Sequence, residues 1–328
     1  MINRKGFIFK GLSHIYNLGL QLWYLYDNIR DKYVLPGHTI SVGNLTVGGA
    51  GKTPLALFIA EKLAERYRVA ILSRGYKRKS KGILVLGPEN VRLTWKEVGD
   101  EPYLLWKKTG GKIPVIVGKN REDAADLAIS LFKTRIFILD DGFQYLRVKK
   151  DKEILLFNWK TLHNGDYLLP YGRMREPWKA VNRADIIVIN FKNIPLDENV
   201  VEKVKMWKKP YFFMRYIPVS LYNYYGEKMN LDVLKDREIA LFSGIADPES
   251  FEEMVKKLGA KIVKKLFVRD HGLVSIKKLR ELQRAAEYII TTEKDLIKYP
   301  GIKNLFALEI KPEINREEEF LRLIWPSF

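Results

Sequence analysis

Short apolar runs alternate with longer amphipathic stretches along most of the chain. Runs over 39–42, 68–73, 114–117 and 135–139 are rich in Val, Ile and Leu and stop at Gly, Ser or Asp, as strands buried on both faces of a parallel sheet do. The stretches over 55–67, 103–108 and 121–132 read as helices, and 83–86 with 91–93 predicts a small hairpin. Beyond residue 150 the alternation loosens. Strands are expected over 153–157, 185–190, 239–243 and 288–292, and helices over 250–258 and 275–286. Between them lie a Pro/Arg-rich loop at 168–178 and a stretch at 210–225 with two Phe and five Tyr. The pattern predicts an α/β fold with a doubly wound, mostly parallel sheet and helices on both faces. Ligands of such sheets bind beyond the carboxyl ends of the strands.

The beginning of the chain reads differently. FIFKGLSHIYNLGLQLWYLYDNIRDKY at 7–33 is aromatic and aliphatic, but Lys10, His14, Asn17 and Gln21 interrupt it. A spanning helix needs ~20 mostly apolar residues, and no small-residue cleavage site follows. Trp23, Tyr24 and Tyr26 between Lys10 and the pair Arg30 and Lys32 suit an amphipathic helix in a membrane interface. Docking on the protein's own core is the other reading. The flanking cations favour the membrane, since each contributes ~1 kcal/mol near an anionic surface. The chain therefore divides into residues 1–35 as this helix, 36–150 as a first α/β core and 151–328 as a second, smaller α/β lobe that completes a cleft. No internal repeat or low-complexity tract is visible.

Composition narrows the chemistry. The 328 residues contain no Cys, which excludes disulfides and thiolate metal sites, and four scattered His do not make a zinc cluster. Lys and Arg number 57 against 39 Asp and Glu, a net charge of +18 that calls for an anionic partner: nucleic acid, an anionic membrane or a phosphorylated substrate.

One stretch has the order of a phosphate cradle. HTISVGNLTVGGAGKTP at 38–54 runs from strand through glycine loop and Lys-Thr into a helix. Backbone N–H groups from Thr46, Val47, Gly48, Gly49, Ala50, Gly51, Lys52, Thr53 and Pro54's neighbours would surround an anion at the positive end of the helix dipole. Lys52 would reach the β/γ-phosphates of ATP, and the Thr53 hydroxyl would hold Mg²⁺. The general P-loop pattern wants a glycine where Thr46 stands; Gly48-Gly49 resembles the GGxGKT variants, although Val47 replaces the lysine many of those carry.

Several other residues carry candidate chemistry. Asp140 closes the run 136–139 as a Walker B acid does, and Asp141 doubles its charge, which suits Mg²⁺–ATP. Asp100-Glu101 precedes Pro102, where acids cap a helix and favour its dipole; the functional reading is a general base with an extra metal ligand. His271 in VRDHG is either a loop residue or the partner of Asp100. Arg173, Arg175 and Glu176 lie in a Gly/Pro loop where arginines can clamp phosphate, or in a plain surface loop. TTEKD at 291–295 follows a strand and could contact base or ribose, or merely start a helix.

Taken together, GNLTVGGAGKTP (43–54), SRGYKR (73–78), GDEP (99–102), DDGFQ (140–144), LLPYGRMREP (168–177), SGIADPESF (243–251), DHG (270–272) and TTEKD (291–295) resemble the tetraacyldisaccharide 4′-kinases, the lipid A 4′-kinase family of Gram-negative bacteria. Eight motifs in order make the resemblance specific, and Thr46 belongs to that family's own loop. Gly272 departs from it, since a second histidine often stands there. The resemblance implies a P-loop kinase that moves the γ-phosphate of ATP to the 4′-hydroxyl of an acylated disaccharide 1-phosphate, with Mg²⁺, at the cytoplasmic face of the inner membrane. It implies Asp100 as catalytic base with His271 as partner and Lys52 on the phosphates. Thr53, Glu101, Asp140 and Asp141 would serve the metal or its network, and Arg74, Tyr76, Gln144, Arg173, Arg175 and Glu176 would contact phosphate or sugar. The partners expected are the lipid and the anionic inner-membrane surface, with no nucleic acid and no obligate protein partner.

Two other classes share some of these features. A P-loop membrane-associated switch ATPase would share the loop and the helix, but Val47 speaks against the subclass with lysine there. A nucleic-acid ATPase would explain the charge, yet no helicase-like motif series or recognised RNA or DNA module is present.

Overall fold

The computed structural model describes residues 4–88, 92–191 and 198–325. In chain order the strands are β1 (His38–Gly43), β2 (Val69–Ser73), β3 (Leu84–Leu86), β4 (Val115–Val117), β5 (Ile136–Asp140), β6 (Lys152–Asn158), β7 (Ile186–Asn190), β8 (Tyr211–Tyr222), β9 (Lys228–Met229), β10 (Glu238–Ser243), β11 (Lys261–Phe267), β12 (Tyr288–Thr292) and β13 (Leu305–Ile314). The α-helices are α1 (Arg4–Asn28), α2 (Lys52–Ala64), α3 (Trp95–Val98), α4 (Asp100–Lys108), α5 (Arg121–Phe132), α6 (Trp159–Asn164), α7 (Glu198–Lys205), α8 (Pro248–Lys257), α9 (Ile276–Ala285), α10 (Glu293–Leu296) and α11 (Glu317–Ile324).

Among the described residues the strands form one sheet, ordered β11-β10-β12-β13-β8-β7-β6-β1-β5-β2-β4-β3 with β9 on β8. It is mostly parallel, and its strands are buried on both faces. In β5, Ile136 and Ile138 join the core under α2, while Phe137 and Leu139 join the core under α5. In β6, Ile154 and Leu156 face the first of these cores and Leu155 and Phe157 a third, which includes Leu162 of α6 and Val200 of α7. A period of two in a strand apolar throughout gives this two-sided burial.

Two parallel blocks meet through one antiparallel pair. Residues 187–190 of β7 pair with 211–214 of β8, and 289–292 of β12 pair with 305–308 of β13. From the ends of those stretches onward β8 and β13 run against each other, Ile314 opposite Met214 and Ala307 opposite Tyr222. The second block therefore sits past the carboxyl edge of the first with its strands reversed. The carboxyl ends of β10, β11 and β12 point back at those of β1, β2 and β5.

The 210–225 stretch is thus a strand, β8, and β11 and β13 also form where no strand was expected. Pro218 in β8 and Pro312 in β13 obscure the pattern, because proline removes a ladder donor. Both lie in the portions of their strands that have left β7 and β12, and the register slips between Glu309 and Ile310, opposite Pro218. In β11 the lysines of KIVKKLF hide the strand. Of the expected hairpin, residues 84–86 form β3, which pairs antiparallel with β4; residues 89–91 lie outside the described residues, and Arg92 and Leu93 are not in a strand.

Helix α1 lies against the first block through polar contacts. Tyr16 Oη donates to the Arg175 carbonyl at 2.9 Å, and Tyr24 Oη donates to Glu176. Its other side is an exposed apolar stripe with Ile8, Ile15, Leu22 and Leu25. Residues 1–3 of the expected segment lie outside the described residues. Among the described residues, no helix is long and apolar enough to cross a membrane.

Candidate active site

β1, β5 and β2 are parallel neighbours, so Gly43, Asp140 and Ser73 end at one edge. The glycine loop, the Asp140 turn and the Arg74 loop follow from those ends, at the edge a doubly wound sheet offers to ligands. Gly51 begins α2 with φ 100° and no side-chain cap, which leaves the first-turn N–H groups directed at the loop. A Cβ on Gly51 would lie 2.1 Å from Tyr216 Oη, and one on Gly43 2.3 Å from Phe143 Cβ. These glycines let the loop press onto β8 and onto the Asp140 turn.

A cleft of about 1140 Å³ separates the two blocks. Residues 46–54, Arg74, Tyr76, Glu101, Asp140, Asp141 and Arg175 line it from one side, and Ala246, Phe251, His271, Glu293 and Lys294 from the other. Most of the expected site residues are therefore brought together. Three are not. Arg173 pairs at 2.9 Å with Asp166 on the exposed surface. Gln144 Nε2 donates to the Asn44 carbonyl at 3.0 Å and to Glu176 at 2.8 Å, and Glu176 is buried against Arg183 at 2.7 Å. Gln144 and Glu176 join α1 to the back of the loop instead of facing the cleft.

The two adjacent aspartates differ. Asp141 takes a left-handed backbone (φ 56°) that turns its carboxylate to Arg175, with Nη1 and Nη2 at 3.1 and 3.0 Å, and to Lys52 at 3.6 Å. Burial pushes its carboxyl up, but Lys52 and Arg175 outweigh that and hold it at about 2. Asp140 is buried, and its Oδ1 has no hydrogen-bond partner. Burial, then Glu101 and Asp141, push its pKa up. An orphaned buried carboxylate oxygen between two other acids fits a divalent cation. No group of three or more His, Cys, Asp or Glu placed to hold a metal ion occurs among the described residues. A magnesium held by one or two protein oxygens and nucleotide phosphates needs none.

Asp100 opens α4, with Gly99 separating it from α3, so the acidic pair lies within the helix's first turn and not ahead of it. Both acids sit at the positive end of the helix dipole, although no side chain caps α4. Asp100 Oδ1 accepts the Glu101 N–H at 3.0 Å, and Oδ2 lies 2.7 Å from His271 Nδ1. His271 is also left-handed (φ 63°), held by its N–H to the Gly244 carbonyl at 3.1 Å. Lys294 Nζ, which can only donate, is 3.1 Å from His271 Nε2. That contact puts the ring proton on Nδ1, facing Asp100. Burial raises the Asp100 pKa, but the His271 hydrogen bond and the charges of Lys294 and Lys298 hold it at about 2. For Lys294, burial opposes the charge, while Glu101, Asp100 and Asp270 sustain it. Tyr76 stands over this pair with its ring edge-on to His271, centroids 5.7 Å apart.

Several residues of the site escaped the sequence reading. Asn44, inside the loop motif, is buried; its Oδ1 accepts Lys52 Nζ at 3.1 Å and also Arg175. Asn190 Nδ2 donates to the Ala50 carbonyl at 3.0 Å. Lys294 was visible only as part of TTEKD, and Lys298, four residues on, offered no signal beyond that spacing.

The chain matches known proteins over nearly its whole length. The profile of the tetraacyldisaccharide-1-P 4′-kinase family matches residues 6–327. A tetraacyldisaccharide 4′-kinase of Aquifex aeolicus is 40% identical over 295 residues, 90% of this chain and 89% of that protein. One of Elusimicrobium minutum is 32% identical over 340 residues, covering 97% and 91%. Among solved structures, "apo" form LpxK from Aquifex aeolicus in complex with ATP superposes with a TM-score of 0.80 at 36% identity, covering 96% of each chain.

Proposed function

The chain belongs to the tetraacyldisaccharide-1-P 4′-kinase family, phosphotransferases with an alcohol acceptor, and from that premise we propose its substrates and site roles. ATP binds along the glycine loop, and its γ-phosphate passes to the 4′-hydroxyl of a tetraacyldisaccharide 1-phosphate. The observation that carries this reading is the Asp100–His271 pair, 2.7 Å apart, with His271 lining one side of the cleft that holds the P-loop and Asp100 buried next to Glu101, which lines the other.

Lys52 and the first turn of α2 hold the β/γ-phosphates, and Asn44 aims Lys52 from behind. Thr53 and Asp140 would hold Mg²⁺, which when bound would neutralise phosphate charge. Asp141 instead anchors Lys52 and Arg175. Asp100 accepts the proton of the 4′-hydroxyl as its oxygen bonds to the γ-phosphorus and the bond to ADP breaks. A carboxylate held at about 2 is a weak base, but a loose phosphoryl transition state needs a positioned acceptor more than a strong one. His271 fixes that carboxylate's rotation. Arg74 and Tyr76, exposed on the rim beside His271, meet the sugar and its phosphate.

The apolar stripe of α1 lies in the membrane interface at the cytoplasmic face of the inner membrane, and the surplus of cations draws the protein to anionic lipid. The decisive assay is transfer of labelled γ-phosphate to the acylated disaccharide 1-phosphate, with the product position determined. A labelled 4′-position is expected. ATP hydrolysis indifferent to the lipid would overturn the reading.

A further inference from the structure

Behind the Asp100–His271 pair lies an ion pair that the reaction itself does not touch. Asp295 and Lys298 are 3.0 Å apart, with side chains 0% and 1% exposed. Asp295 also accepts the Gly244 N–H and the Thr292 hydroxyl, each at 2.7 Å. Gly244 in turn accepts the His271 N–H at 3.1 Å, so Asp295 fixes the turn that presents the histidine. Lys298 Nζ reaches Asp100 Oδ2 at 3.6 Å, the oxygen that faces His271.

We propose that Lys298, held by Asp295, is a positioning residue that locks the Asp100 carboxylate toward His271 across the cleft. This rests on the kinase reading of the same site. Replacing a buried ion pair with apolar side chains is often neutral or stabilising, so packing alone gives no reason for this one. Its geometry supplies a reason. Lys298 follows α10 in one block, Asp100 opens α4 in the other, and the single ammonium touches the carboxylates of both. One residue thus ties the acceptor of the hydroxyl proton to the loop carrying its partner.

The test is a double-mutant cycle on the full chain, reading phosphate transfer to the tetraacyldisaccharide 1-phosphate in mixed micelles, with rates counted per nucleotide-binding site. Lys298→Met is expected to lower kcat at least about tenfold, with KM for ATP and for lipid within about threefold. In an Asp100→Ala background the same change is expected to cost less than about twofold, because the carboxylate it acts through is gone. Equal losses in both backgrounds, or a wild-type kcat in Lys298→Met, would overturn the proposal. Should that variant not fold, the cycle is read on Asp295→Asn with Lys298→Met, which withdraws both charges together. Failure to fold there as well would assign the pair to the core's stability and overturn the positioning role. Wild-type protein that transfers nothing to the lipid would instead overturn the kinase reading, and this inference with it.

Discussion

Asp100 and His271 are 171 residues apart in sequence, and Oδ2 of one lies 2.7 Å from Nδ1 of the other. The contact exists because β8 and β13 run antiparallel between two parallel blocks and turn their carboxyl edges toward each other. The α4 end of one edge and the loop after β11 on the other close the pair.

Asp100→Ala should lower kcat by about 10²–10⁴ while ATP still binds, since the P-loop contacts do not involve it. Steady-state transfer with parallel nucleotide binding checks this. Near-normal turnover on the lipid acceptor would remove Asp100 from the role of base.

The same carboxylate should make stability depend on acid. Its folded pKa, about 2, lies below the ordinary 3.8, so its contribution is present above about pH 4 and is lost as pH falls toward 2. The difference corresponds to about 2 kcal/mol for this buried group. Asp100→Asn should therefore be less stable than wild type by about that amount at pH 7, with the gap closing on acidification. Denaturant unfolding at several pH values reads it; a gap independent of pH would be the contrary result.

Asp140 works in the opposite sense. Its folded pKa is raised by burial and by Glu101 and Asp141, so ionising it weakens the fold as pH rises above the ordinary carboxylate range. In metal-free protein, Asp140→Asn should raise Tm at pH 8 and leave it unchanged near pH 3. Adding Mg²⁺ with ATP should raise Tm of the wild type more than that of the variant. Equal gains would exclude Asp140 as a ligand.

Gly51→Ala should cost both fold and nucleotide. The position has φ 100° and its new Cβ would meet Tyr216 Oη at 2.1 Å. Backbone strain alone is worth about 1–3 kcal/mol. Tyr216→Phe removes the hydroxyl but not the strain, so in the Gly51→Ala background it should restore only part of the lost Tm and ATP affinity. Full restoration would mean that the clash was the whole effect.

Helix α1 has two separable faces. Ile15→Glu with Leu22→Glu alters only the exposed stripe, and should weaken sedimentation with anionic vesicles by about tenfold or more while Tm holds. Tyr24→Phe alters the inner face: it removes a donor to buried Glu176, which keeps Arg183, and should cost about 1 kcal/mol. Undiminished sedimentation of the double variant would rule out the interface reading.

The sequence by itself determined the parallel framework and the identity of the chemistry. Apolar runs with a period of two are buried on both faces wherever they occur, and a strand–glycine loop–Lys-Thr–helix order is local enough to be read from neighbours in the chain. Asp140 and Asp141 were legible as a pair at a strand end, but not as a pair divided between two surroundings. That division follows from the left-handed turn at Asp141, which points one carboxylate at Arg175 and leaves the other buried. Only the tertiary structure decided that β8 and β13 are strands at all. Their prolines are tolerated because each falls where the strand has lost its second neighbour, a circumstance no local pattern encodes. From that ribbon follow the opposed edges of the cleft, the meeting of Asp100 with His271, and the burial of Lys298 behind them. Contacts between residues so far apart depend on where whole strands run, and only the assembled sheet fixes that.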